Sequence, residues 1–224
     1  GVSYADAHGV IGRLWPEAGE LNRRLGAEQV RHAGTIGGNI ANGSPIGDSP
    51  PWLIAAGATL HLAHRDGRRP LPLEDFFLAY GKQDRRPGEV VEAVTVPKPA
   101  PGTTLRCYKI SKRLDQDISA VCAGIQLRHD GQRIAGARIA YGGMAATPKR
   151  AAQAETALTG APFTEASFRR AMSVMAQDFQ PISDMRASAS YRLKVAQNLL
   201  LKAYVESSDA TTLRIAGQRE PVDA

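Results

Sequence analysis

The chain is 224 residues long, 43% hydrophobic and 22% charged, with a formal net charge of +6. It carries enough apolar material for one large domain or two ordinary ones, but no apolar run approaches the roughly 18 residues of a membrane helix, and no signal-peptide pattern opens it. Two cysteines, Cys107 and Cys122, exclude a disulfide framework or a four-thiolate metal site, and they read as small buried apolar residues.

In chain order, Pro16 followed by Glu17, Glu20, Leu21 and Leu25 predicts a short helix with proline in its first turn, ending at Gly26. Gln29 to His32 is predicted as a short strand, and a glycine-rich stretch follows. Ser49-Pro50-Pro51-Trp52 starts another helix, with the serine as cap, that stops at Gly57. Thr59 to His64 alternates as a strand, turns at Asp66-Gly67 and returns through Arg69 to Leu73. His61 and His64, three apart without a third ligand, read as solvated edge residues, so no metal is expected on this chain. Glu74 to Ala79 is a helical turn and Glu89 to Val96 a strand. Pro97 to Gly102, with three prolines and a glycine, reads as a linker.

Beyond the linker, Leu105 to Ile110, Ile118 to Arg128 and Arg133 to Tyr141 are predicted as three successive strands. Helices follow over Pro148 to Leu158, Thr164 to Asp178 and Ala187 to about Glu206. Strands followed by helices, without alternation, argue for an α+β layer with helices on one sheet face. The last helix is amphipathic through Tyr191, Val195 and Leu199, and the tail after Ser207 is aperiodic. Of the 28 basic residues 21 are arginine, scattered singly or in pairs such as Arg23-Arg24 and Arg85-Arg86. Without a basic run or an aromatic platform, a solvated arginine-biased surface accounts for the charge better than a nucleic-acid partner.

The segment from His32 to Asp48 holds five glycines in 17 residues. Glycines allow positive φ and let a ligand approach the backbone, and successive N–H groups in such a turn can cradle an anion. Thr35, Asn39 and Ser44 add short hydrogen-bonding side chains. The stretch is neither a P-loop nor a Gly-x-Gly-x-x-Gly dinucleotide fingerprint. Read alone, it is a tight turn or a ligand loop.

The run Ala33 to Pro51 resembles the flavin-binding segment of the molybdenum hydroxylase family, and within it the FAD-carrying subunits of bacterial xanthine dehydrogenases. Cys107 to Val121, Tyr141 to Ala151 and Ser183 to Ser188 agree with further segments of that family, in the same order. The resemblance covers the chain up to about Glu206. It implies an α+β chain: the second half of a p-cresol methylhydroxylase-type FAD-binding domain, followed by a C-terminal domain with a three-stranded antiparallel sheet and helices. Residues 1–103 would be the partial FAD-binding subdomain, 104–207 the C-terminal flavoprotein domain and 208–224 a flexible tail.

Carried over by motif, Thr35, Ile36, Gly37, Gly38 and Asn39 lie along the FAD, with Asp48 touching it from the following loop. Val91 supplies a backbone or packing contact, and Lys109 approaches the flavin; without the resemblance Lys109 is equally a solvent-facing strand lysine. No catalytic acid, base or nucleophile is expected. The family implies that a molybdenum centre oxidises hypoxanthine and xanthine to urate. Electrons then pass through iron–sulfur clusters to FAD and on to NAD⁺. The clusters and molybdopterin sit on other parts of the complex. The implied partners are a large molybdenum-cofactor subunit and an N-terminal iron–sulfur/FAD segment, in a cytoplasmic hetero-oligomer with no membrane contact. The alternatives are the flavoprotein of a carbon monoxide or aromatic-substrate relative, and a non-catalytic truncated scaffold.

Three departures from the family stand out. Leu25 occupies the place of an aromatic ring that stacks on the isoalloxazine. Asp115-Gln116-Asp117, in the loop that governs nicotinamide access, keeps two carboxylates and differs between them. The chain begins where the family's FAD domain is half built, so FAD is expected to bind the isolated chain weakly and the chain alone to be inactive.

Overall fold

The computed structural model describes residues 1–208, so the aperiodic tail falls almost wholly outside the described residues. The chain opens with three helices: α1 (Tyr4–Leu14), α2 (Pro16–Arg23) and α3 (Glu28–Ala33). A capping box starts α1, in which the Ser3 hydroxyl accepts from the Asp6 N–H while the Asp6 carboxylate reaches back to Ser3. Helices α1 and α2 cross at Gly12 and Gly19, where a Cβ on Gly19 would lie 2.7 Å from the Gly12 Cα. The predicted strand at Gln29–His32 is instead part of α3. Its N–H groups are taken locally, Arg31 by the Ala27 carbonyl and Gly34 by that of Val30, and it pairs with no strand.

Next come α4 (Ile36–Asn42) and α5 (Ser49–Ala55). Strands β1 (Thr59–His64), β2 (Gly67–Pro72) and β5 (Val90–Thr95) form an antiparallel sheet in the order β2-β1-β5. The helical turn foreseen at Glu74 to Ala79 divides into a 3₁₀ turn, Leu73–Phe76, and a strand β3 (Phe77–Ala79) that pairs with β4 (Lys82–Gln83).

The second half is built on β6 (Thr103–Ile110), β7 (Val121–His129) and β8 (Ile134–Gly142), joined by a two-residue β9 (Lys149–Arg150). The sheet is therefore four-stranded, in the order β6-β7-β8-β9, rather than three-stranded. Because Lys149–Arg150 pairs with β8, the helix expected from Pro148 begins later, as α6 (Ala152–Leu158). It is followed by α7 (Glu165–Asp178) and α8 (Ala189–Ser208). On one sheet face Val121, Ala123, Ile125, Leu127, Ile139 and Tyr141 pack with α6, α7 and α8 in a single apolar cluster.

The other face is covered as well. Cys107, Cys122 and Ala140 belong to the core cluster that holds Trp52, Leu53 and Ile54 of α5. All seven residues of α5 are buried, which explains why β7 is buried on consecutive residues instead of alternating. Gly124 permits the contact: a Cβ there would lie 2.5 Å from the Trp52 Cα and 2.6 Å from the Pro51 carbonyl oxygen. Ion pairs flank the same interface. Arg138 donates to the Ile54 carbonyl and to Glu74, and Arg150 bonds both Glu74 and Glu155. Much of the arginine surplus is thus spent on joining elements. Among the described residues no helix is long and apolar enough to cross a membrane, and no cluster of His, Cys, Asp and Glu is placed to hold a metal ion.

Candidate functional site

The glycine stretch forms a helix rather than a nest. Thr35 is the N-cap of α4, its hydroxyl accepting from the Gly38 N–H at 2.9 Å, and Gly43 ends the helix at φ 64°. Of the stretch's five glycines only Gly43 has positive φ. The value of Gly37 and Gly38 lies in what they lack. A Cβ on Gly38 would sit 2.8 Å from the Thr35 hydroxyl oxygen, and one on Gly37 3.4 Å from Val91. Val91, in β5, therefore meets the glycine turn directly, while Ile36 packs against the core.

The polar groups of this turn are unevenly satisfied. The Ile36 N–H bonds the Val2 carbonyl, Gly38 the Thr35 hydroxyl and Asn39 the Thr35 carbonyl. Gly37 N–H finds no acceptor among the described residues. The Asn39 Oδ1 is buried without a donor, close beside Gly47. A buried acceptor left unpaired costs about 1–3 kcal/mol, and a hydrogen-bonding ligand at the turn would remove that cost.

Asp48 and Lys109 form a second cluster. Asp48 stands at the N-cap position of α5 but does not cap it. Its carboxylate turns inward instead, where Oδ2 accepts from Lys109 Nζ at 2.5 Å and Oδ1 from the Ser119 hydroxyl at 2.5 Å. Lys109 Nζ also donates to Ser119 Oγ at 3.0 Å, which closes a ring of three. Lys109 is 6% exposed, Asp48 7% and Ser119 1%, so the solvent-facing reading of Lys109 is excluded.

Neighbouring groups brace the ring. The foreseen cap, Ser49, shares a 2.6 Å hydrogen bond with the Tyr4 hydroxyl, and burial pushes the Tyr4 phenol up to about 12. Cys122 donates to the Asp48 carbonyl oxygen, and burial raises its thiol well above the usual range. Arg192, itself buried, donates to the Ala120 and Gly143 carbonyls and pairs with Asp184, fixing the backbone next to Ser119.

The structure thus brings Thr35 to Asn39 together with Val91, and Asp48 together with Lys109; the turn through Gly47 links the two groups. Ser119, Tyr4 and Arg192 are residues that sequence reasoning missed. Leu25 is half-buried just beyond α2. Its neighbour Arg24 donates to the Lys109 and Leu114 carbonyls and so holds the loop containing Asp115-Gln116-Asp117. Within that loop Asp117 accepts from the Arg113 and Ile118 N–H groups.

Comparison with known proteins matches residues 1–99 to the FAD binding domain in molybdopterin dehydrogenase and residues 106–207 to the CO dehydrogenase flavoprotein C-terminal domain. The chain belongs to this family of FAD-binding oxidoreductase subunits. It is similar to the glyceraldehyde dehydrogenase medium chain of Sulfolobus acidocaldarius, 33% identical over 82% of this chain and 65% of the relative. The solved structure of carbon monoxide dehydrogenase from Hydrogenophaga pseudoflava superposes with a TM-score of 0.85 at 30% identity, over 90% of this chain and 70% of that one. Xanthine dehydrogenase of Oryza sativa is 37% identical, over 59% of this chain and 10% of its own length. The chain thus spans just under two thirds of the Sulfolobus medium chain.

Proposed function

We propose that this chain is the FAD-holding part of a molybdenum hydroxylase complex of the medium-chain type, with residues 1–103 and 104–207 as its two units. The carrying observation is the bare glycine turn beside Val91, where the orphaned Asn39 Oδ1 and the free Gly37 N–H leave an acceptor and a donor for a polar cofactor. Thr35, Ile36, Gly37, Gly38 and Asn39 would run along the FAD, with Val91 packing beneath it and Asp48 and Lys109 forming its inner wall. When bound, FAD supplies the electron transfer. The chain's own residues would bind it, orient it and keep water from its buried side. No acid, base or nucleophile of this chain is required.

In this reading the iron–sulfur clusters and molybdopterin are carried by partner polypeptides in a hetero-oligomer. The likeness to a glyceraldehyde dehydrogenase medium chain and to a carbon monoxide dehydrogenase favours an aldehyde or carbon monoxide as the substrate class of the complex. Oxidation of hypoxanthine or xanthine with NAD⁺ as acceptor is the second reading, and the rice relative supports it. Assays of the purified complex with glyceraldehyde, carbon monoxide and xanthine separate the two. Asn39→Ala should weaken FAD retention about tenfold, the worth of one good buried hydrogen bond. Unchanged flavin content in that variant sinks the site assignment.

A further inference from the structure

We infer that Ser119 is a positioning residue that aims the Lys109 ammonium at an oxygen acceptor of the bound flavin. The inference rests on the FAD reading above and deepens it. An ammonium has three N–H donors and turns freely about its last carbon–nitrogen bond. Held by Asp48 alone, Lys109 could swing its other two protons around that one contact. Ser119 removes this freedom. Its hydroxyl has a single proton, which Asp48 Oδ1 takes, so toward Lys109 the oxygen can only accept. Two of the three ammonium protons are therefore assigned, one to Asp48 Oδ2 and one to Ser119 Oγ.

The direction of the third follows from the other two. That proton has no acceptor among the described residues, and it lies in a side chain only 2% exposed. The arrangement is also protected from drift. Arg192 holds the Ala120 carbonyl next to Ser119, and Asp48 is fixed at the start of a fully buried helix. Ser119 therefore acts on the flavin without touching it.

The test uses the assembled complex and compares wild type with Ser119→Ala and Ser119→Thr, measuring the FAD dissociation constant and the flavin midpoint potential. Ser119→Ala should bind FAD about tenfold more weakly, as the fixed charge-assisted hydrogen bond is lost. Its potential should fall, because such a bond favours the electron-rich reduced flavin over the oxidised form. Ser119→Thr keeps a hydroxyl on the same carbon and should restore both values. Wild-type affinity and potential in Ser119→Ala overturn the inference, and so does a loss in Ser119→Ala that threonine leaves uncorrected. A wild-type complex that takes up no FAD overturns the functional reading itself. Loaded wild type with an unaltered alanine variant overturns this inference alone.

Discussion

The glycine turn of α4 and the Asp48–Lys109–Ser119 ring lie on one stretch of chain, yet they are held by opposite means. The turn is local. Its cap, its bare first residues and its left-handed ending all come from Thr35 to Gly43, while packing on Val91 and a backbone bond to Val2 dock it on its neighbours. The ring is wholly non-local, joining residues 61, 71 and 10 positions apart. A local device tolerates damage, because a neighbouring turn can rearrange. A buried ring of charges does not, since losing one member strands the others in a medium that solvates them poorly.

Substitutions can break that contrast, and they rank by size. Asp48→Ala leaves a buried ammonium with only a serine for company, and the expected loss is about 3–5 kcal/mol. Urea denaturation of the purified protein would show it as a lower midpoint with an unchanged slope, and a loss below about 1 kcal/mol would mean that water reaches Lys109 and the ring is not buried in solution. Gly124→Ala comes next, because its methyl must displace the α5 backbone; overpacking of this kind costs about 1–3 kcal/mol. Tryptophan fluorescence should report the shift of Trp52, and an unmoved spectrum would argue that α5 docks less closely than described. Thr35→Ala is the smallest, removing one cap at about 1 kcal/mol. Thermal unfolding would register it as a minor drop in midpoint, while a collapse as large as that of Asp48→Ala would erase the distinction between local and non-local support.

The same contrast decides what could be read from the sequence. Strands β6, β7 and β8 were legible because apolar runs bounded by Pro97–Gly102 and by Asp130-Gly131 leave few other readings. Helix α1 carries a readable signal, Ser3 with Asp6 three residues later. Strand β9 had none, for two residues become a strand only through pairing with β8. The glycine stretch was conspicuous in the sequence, but its helical conformation was not. Glycine suggests positive φ, whereas here Gly37 and Gly38 serve by leaving space in an ordinary helical turn. Lys109 and Asp48 could be named from family motifs, yet their mutual contact could not. Ser119 had no spacing pattern to mark it, because its partners meet it only once β6, β7 and the start of α5 have come together. Covering of the sheet on both faces was equally hidden: Cys122 and Gly124 do not read as an interface until Trp52 lies on them.

That last contact bears on how such a chain can be inherited. Gly124 belongs to the C-terminal sheet, yet the space it leaves is shaped to the backbone of a helix from the other side of the proline linker. The halves therefore do not behave as interchangeable modules. A recombination event that brought in a foreign C-terminal half with any side chain at that position would present the old helix with a surface it cannot approach. The two segments fit as one unit, joined less by the linker than by an atom that must be missing.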